Sequence, residues 1–457
     1  MTPPTDTAVP LSPPTASMPI VGVRPAWRDT FTSLRVPNFR LFTIGHIVAT
    51  TAIGMQRIAQ DWLVLELSGS VAAVGVTVAM QFAPMLVFGL LGGVLADRYP
   101  KRILLMITQS LAAALAVVLS VLALTGAVQV WHIYVIAFLL GLVTVVDTPA
   151  RQSFVSELVG PHRLPNAISI NSAVFQLGQL VGPAVGGLMI TAIGSGWSFA
   201  INAVACCGVV LTLSLMNVKA LMPTKPMPRA KGQMAEGVRY AVRKPAILWT
   251  VVMLAFVSVF ALNMPVLLAA YASQVFDIGP GGYGLLNALV AAGALTGALA
   301  STRRGGVDLR IVIGTAAAIG VLQATTGLMP SLFLFCALLV GGGVATLLFI
   351  TAANSLVQLS ANAGIRGRVM ALYVLVLLGG QAIGGPLMGW LVEHAGPHVG
   401  MVVSGAVPAL AAGVVTLVLL AKRRRARAAV AASADTDADA DADAGADADA
   451  VVVEQTS

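Results

Sequence analysis

Twelve apolar stretches, each long enough to cross a bilayer, constrain this chain more than any other feature. They run over roughly 41–66, 72–96, 103–124, 131–150, 166–192, 198–217, 247–271, 284–302, 310–328, 332–356, 368–393 and 400–421. A hydrocarbon layer takes about 20 residues of helix to cross. The connections alternate between tight turns and longer charged segments, as paired helical hairpins require. The expected fold is an all-α membrane protein of twelve transmembrane helices.

The composition leaves little room for another class. Of 457 residues, 57% are hydrophobic and 10% charged, whereas an ordinary soluble domain carries about 25% charged residues. The net charge of +8 does not indicate a nucleic-acid partner, because the basic residues are scattered between apolar runs and form no groove. Cys206, Cys207 and Cys336 lie inside apolar stretches, without metal-type or redox-type spacing, and read as small packing residues. The first 37 residues, rich in Pro, Thr and Ser, lack the short apolar core of a cleaved signal peptide.

Basic residues orient the chain. With the N-terminus placed inside, every Lys and Arg except Arg57 falls in a segment on the cytoplasmic side. The positive-inside rule therefore puts both termini in the cytoplasm of a multi-pass inner or plasma-membrane protein. The expected organisation is a cytoplasmic segment 1–37, a six-helix bundle 38–217, a central cytoplasmic loop 218–246, a second bundle 247–421 and a cytoplasmic tail 422–457. The loop contains Glu236-Gly237-Val238-Arg239-Tyr240, a short amphipathic stretch suited to the membrane surface. The tail opens on Lys422-Arg423-Arg424-Arg425 and ends in an Asp-Ala repeat over 435–450, too acidic and too poor in large apolar groups to fold.

The two halves echo each other at an offset of about 203 residues. Arg163, Gly182-Pro183 and Gly186 recur as Arg366, Gly385-Pro386 and Gly389, and Gln152-Ser153-Phe154-Val155 matches Asn354-Ser355-Leu356-Val357. A duplicated six-helix unit implies a pseudo-two-fold axis along the membrane normal, with the substrate site between the halves.

Between the second and third stretches the chain reads Gly93-Val94-Leu95-Ala96-Asp97-Arg98-Tyr99-Pro100-Lys101-Arg102. This resembles the signature loop of the major facilitator superfamily, with Pro100 where that family has Gly. In the fifth stretch, Gly178-x-x-x-Gly182-Pro183-x-x-Gly186-Gly187 resembles the antiporter motif of drug and metabolite exporters in the same superfamily. Small residues four apart let helices approach closely, and the eighth stretch, with Gly293 and Gly297, is the expected partner of Gly182. Asn38-Phe39-Arg40-Leu41-Phe42, Met55 to Trp62 and Asp147 to Ser153 are similar to the branch that includes the enterobactin exporter and actinobacterial multidrug efflux pumps. The resemblance covers roughly residues 38–421. It implies a cytoplasmic latch of Gly93, Asp97, Arg98, Lys101 and Arg102, with Asp147 as the acid that pairs Arg98 and Arg151 one turn further on; an ordinary basic loop is the alternative.

Charge in the wrong solvent points to mechanism. Arg57 and Asp61 lie four residues apart on one face of the first stretch, with His46 and Thr50 on nearly the same side. Asp61 is the candidate proton carrier and Arg57 its modulator; a static ion pair is the other reading. The second half offers no charge inside its helices but contributes Asn263, Asn287, Asn354 and Gln381, which join His46 and Gln81 as candidate cavity groups. No phosphate-binding Gly-x-x-x-x-Gly-Lys-Ser/Thr run and no zinc or nucleophile motif occurs. The expectation is therefore no enzyme, no cofactor and no metal. The chain reads as a monomeric secondary transporter whose partners are a small-molecule substrate, protons and the bilayer. Export of a drug-like or siderophore-like amphipathic molecule is favoured over import of a polar solute or a non-transporting receptor role.

Overall fold

The computed structural model describes residues 32–160, 163–222, 233–301, 306–362, 365–422 and 424. Nearly all of segment 1–37, the middle of the central loop and the Asp-Ala tail lie outside the described residues. The first half comprises α1 (Pro37–Ser68), α2 (Val71–Arg98), α3 (Lys101–Leu124), α4 (Val130–Val159), α5 (Leu164–Ile193) and α6 (Ser195–Ser214). A short α7 (Gln233–Arg243) precedes the second half. That half comprises α8 (Pro245–Val275), α9 (Gly279–Ser301), α10 (Leu309–Gly327), α11 (Leu332–Ser360), α12 (Arg366–Ala395) and α13 (Pro397–Lys422). The described residues contain no strand.

Eleven of these helices are long and apolar enough to cross a membrane. The twelfth is α1, which at 32 residues is about 48 Å long but carries His46, Gln56, Arg57, Gln60 and Asp61. Its polarity follows from its place, because most of those side chains face protein rather than lipid. The hairpins are tight. Gly69, at φ 65°, ends α1 in the left-handed conformation that suits glycine. The next residue, Ser70, accepts the Ala73 N–H at 3.2 Å and so caps α2.

One helix is broken. Along α8 the backbone widens over Val257–Ala261 and restarts at Met264. Pro265 has no N–H to donate, and Asn263 Nδ2 donates to the carbonyls of Ser258 at 3.2 Å and Val259 at 2.8 Å. The amphipathic stretch expected at the membrane surface forms α7. Its Tyr240 hydroxyl accepts the Asn362 N–H at 3.2 Å, and the adjoining Lys244 donates to Ser360 O at 3.1 Å. These bonds tie the segment to the end of α11.

The internal repeat is visible in the packing. Gly178 and Gly182 of α5 lie against Thr50, Thr51 and Gly54 of α1, and Gly380 and Gly384 of α12 lie against Ser258 and Val259 of α8. Gly92 of α2 meets Val145 of α4, and Gly293 of α9 meets Val340 of α11. Helices in lipid gain contact rather than escape from water when they associate, so a bare backbone at these crossings maximises what they gain. Gly178 and Gly182 are each 202 residues from Gly380 and Gly384, as is the helix-ending Gly194 from Gly396, at φ 87° and 88°. The two Gly-Pro dipeptides, 203 apart, are therefore one residue out of structural register.

The halves meet unevenly. At the Gly69 end one apolar cluster joins them, with Trp62, Val71 and Val74 packed among Val266 to Ala272, Tyr283, Met388 and Val392. At the opposite end, which bears Tyr99 and Pro100, each half keeps its own core. Phe39, Leu105, Phe154 and Leu213 form one, and Ile247, Val312, Phe349 and Val369 the other.

Candidate transport site between the halves

Just beneath the joined end, the seam holds a partly open cavity of about 210 Å³. Its first wall is α1. A spacing of four residues brings two side chains to one face of a helix, and Arg57 and Asp61 both line the space. Asp61 is 3% exposed. Its Oδ2 accepts the Tyr283 hydroxyl of α9, in the other half, at 3.2 Å; its Oδ1 has no partner. An isolated buried charge is costly unless paired or protonated.

Arg57 does not pair with it. Among the described residues the ion pairs within 4.0 Å are Lys101–Glu157 and Arg151–Asp147. The Arg57 guanidinium carbon instead stands 5.9 Å over the Phe82 ring, an attractive arrangement for a cation. Of the two readings of this helix face, a tight structural ion pair is not the one the geometry adopts.

The other walls bring amides. Gln81 of α2, Gln179 of α5, Asn287 of α9 and Gln381 of α12 line the cavity beside apolar Ile58, Phe82, Leu262 and Pro265. Asn287 Nδ2 donates to Tyr283 O at 2.9 Å, and Gln381 Nε2 to Leu377 O at 3.3 Å. Gln81 Nε2 has no partner. Gln179 and Tyr283 were missed in the sequence. Gln179 could have been found, since it follows Gly178 inside the glycine motif. Tyr283, an uncharged residue in a Gly-rich helix start, gave no signal.

Three expected cavity groups lie elsewhere. Asn263 is spent on the break in α8, and Asn354 accepts from Gln358 on its own helix at 2.6 Å. His46 is 4% exposed and belongs to a second polar cluster inside the first half. It stacks on Phe42, and its Nδ1 lies 3.5 Å from Arg151 Nη1.

That second cluster corrects the expected Arg98–Asp147 pair. Asp147 is held by Arg151 at 2.9 Å on its own helix and accepts from Thr108 at 2.8 Å and Gln109 at 2.9 Å on α3. Arg98 is exposed, as is Tyr99 beside it. Lys101 pairs with Glu157 at 2.9 Å, and Arg102 donates to the last carbonyls of α6, Leu213 at 2.7 Å and Ser214 at 3.1 Å. The bases after Pro100 thus brace their own half. Gly93 and Asp97 sit in the last turns of α2.

The glycine motif is also re-aimed. A Cβ on Gly182 would meet Thr51 O at 2.7 Å and Gly54 Cα at 2.9 Å, and one on Gly186 would meet Met55 Cα at 2.9 Å, all on α1. Gly293 and Gly297 of α9 pack on α11, not on Gly182. The crossing between α5 and α9 is made by Gly187, where a Cβ would lie 2.8 Å from Gly284 Cα. Pro183 lines the cavity.

The transmembrane secretion effector family matches this sequence over residues 28–454. The chain belongs to that family, within the major facilitator superfamily. It is a secondary transporter of that type, a multi-pass membrane protein that handles small-molecule substrates. It is 27% identical over 399 residues to the enterobactin exporter EntS of Escherichia coli O81 (strain ED1a), covering 84% of this chain and 92% of the exporter. By fold it is similar to a bacterial homologue of the human lysosomal transporter Spinster, in an inward-facing and unoccupied conformation. The TM-score is 0.67 and the identity 16%, over 84% of this chain and 96% of that one. The nucleoside transporter NupG gives a TM-score of 0.66 at 12% identity, over 83% and 98%.

Proposed function

We propose that this chain exports small amphipathic molecules, drug-like or siderophore-like, in exchange for protons, by alternating access in the inner membrane. The observation that carries the reading is Asp61. It is an acid 3% exposed on the wall of a cavity shared by both halves, hydrogen-bonded to Tyr283 of the half it does not belong to. When the halves part at the Gly69 end, Tyr283 leaves with α9 and Asp61 faces a different solvent. A group whose surroundings change with the conformer can take a proton in one state and give it up in the other.

With both termini in the cytoplasm, the Gly69 end is external and the halves are closed there. The separate cores then lie at the cytoplasmic end. The outward direction is supported by 27% identity to an exporter and by the motif Gly178, Gly182, Pro183, Gly186 and Gly187.

The test is Asp61→Asn in everted vesicles with an imposed proton gradient. Gradient-driven transport of a substrate found by panel screening should vanish while exchange down the substrate's own gradient persists. Loss of both, with recovery in Arg57→Gln/Asp61→Asn, would show that Asp61 is only a counter-charge and that the coupling group lies elsewhere.

A further inference from the structure

The cavity holds two opposite charges whose needs are unmet by the protein. Asp61 Oδ1 has no hydrogen bond within 3.5 Å, although Oδ2 has Tyr283 and the uncharged Gln81 amide stands beside the carboxyl. Arg57 has neither a carboxylate within 4.0 Å nor a hydrogen-bond acceptor among the described residues, and only the Phe82 ring beneath it. The two residues are one helical turn apart, a rise of about 6 Å, on the same wall. Their charges could have closed on each other, and the geometry keeps them apart. The remaining surfaces are apolar, from Ile58, Val78, Phe82, Pro183, Leu262 and Pro265, with amides between.

We infer that the transported molecule is a small zwitterion with an apolar body. Its ammonium or equivalent donor sits on Asp61 Oδ1, and its acid group sits on Arg57. The inference rests on the cavity being the transport site. A purely cationic ligand would satisfy Asp61 but lie one turn from an unscreened guanidinium, and a purely anionic one would pair with Arg57 but leave Asp61 its proton. A neutral ligand would leave Arg57 unpaired and Asp61 holding its proton, so nothing would link binding to proton release. A zwitterion meets both at once.

The same seating explains exchange. For an N–H to donate to Oδ1, that oxygen must not carry a proton, so one proton leaves the site for each molecule bound. When the molecule departs, Oδ1 is again without a donor and takes a proton back. The cation on the ligand and the proton compete for one atom, while Arg57 keeps its charge throughout.

The experiment is calorimetric binding to the purified full-length protein with three matched probes. These are 4-(aminomethyl)benzoate, its methyl ester (cation only) and its N-acetyl derivative (anion only). The zwitterion should bind at least tenfold more tightly than either relative and release a proton on binding. Arg57→Gln should remove its advantage over the ester, and Asp61→Asn its advantage over the N-acetyl compound. Melting of each variant without ligand, alongside the neutral double variant, separates lost preference from lost fold.

Equal binding of all three probes, binding of none, or an unchanged order of preference in the single variants would each overturn the assignment. The export reading stands or falls separately. Vesicles that export a molecule bearing only one charge refute the zwitterion and keep export. A protein with the expected probe order that moves no zwitterion in vesicles refutes export and keeps the site.

Discussion

Glu393, near the end of α12, reaches across the seam to the start of α2. Its Oε2 accepts the Ser70 hydroxyl at 2.5 Å and the Ala72 N–H at 2.9 Å. The carboxylate thus caps a helix of the opposite half, at the positive end of that helix's dipole. These bonds exist only while the halves are closed at this end, so Glu393→Ala should shift the equilibrium toward opening there.

The size of the shift follows from the contacts. Losing a cap costs about 1 kcal/mol, and an exposed charge at a helix start contributes about 0.3–1 kcal/mol. The site is exposed, so screening keeps the sum near 1–2 kcal/mol, a factor of roughly 5–30 in population. The assay is the rate at which an impermeant maleimide, added from the Gly69 side, labels Gln381→Cys in a background without Cys206, Cys207 and Cys336. Glu393→Ala should raise that rate roughly 5–30-fold, and Glu393→Gln, which keeps an acceptor, by less. The pseudo-symmetric Thr191 donates to Gly187 O within its own helix at 2.9 Å, so Thr191→Ala should change little. Equal labelling in Glu393→Ala and the parent would refute a role for this cap in holding the halves closed.

Three further outcomes are expected. Gly284→Leu places a Cβ 2.5 Å from Pro183 O and 2.7 Å from Gly187 Cα; it should prevent closure at the Gly69 end, and crosslinking between α5 and α9 should fall to background. Asp147→Asn leaves Arg151 with half its partner in a largely buried cluster and should destabilise the first half by about 3 kcal/mol, read as a lowered melting temperature with unaltered membrane insertion. Ala127→Cys and Tyr99→Cys, both at exposed turn positions, should label from outside and inside the cell respectively, and reversed labelling would overturn the orientation.

The fold was legible because lipid enforces it. Stretches of the required length must be helices when nothing else satisfies their backbone, and Gly69, Gly194 and Gly396 mark hairpin ends in plain view. The site was half legible for the same reason. Arg57 and Asp61 stand out because charge is rare in such helices, and both line the cavity. The amides were harder. Asn263 and Gln381 look alike in sequence, yet one repairs a helix break created by Pro265 and the other faces the seam. Helical periodicity assumes an unbroken helix, so it misplaces any residue at a break.

The misassigned contacts share a different cause. Small-residue motifs announce that something packs closely without saying what. Gly178, Gly182 and Gly186 belong to the α1–α5 crossing, which the symmetry copies as α8–α12, while Gly187 alone is spent on the seam between halves. A crossing within a half need not change as the transporter works, and a crossing at the seam must. The same division applies to charge. Lys101, Arg102, Asp147 and Arg151 are bound within one half, whereas Asp61 and Glu393 each bond to the opposite half. The residues that can sense or bias the conformer are therefore the few whose partners lie across the seam. Tyr283, silent in the sequence, is one of them because its hydroxyl donates to Asp61 across the seam.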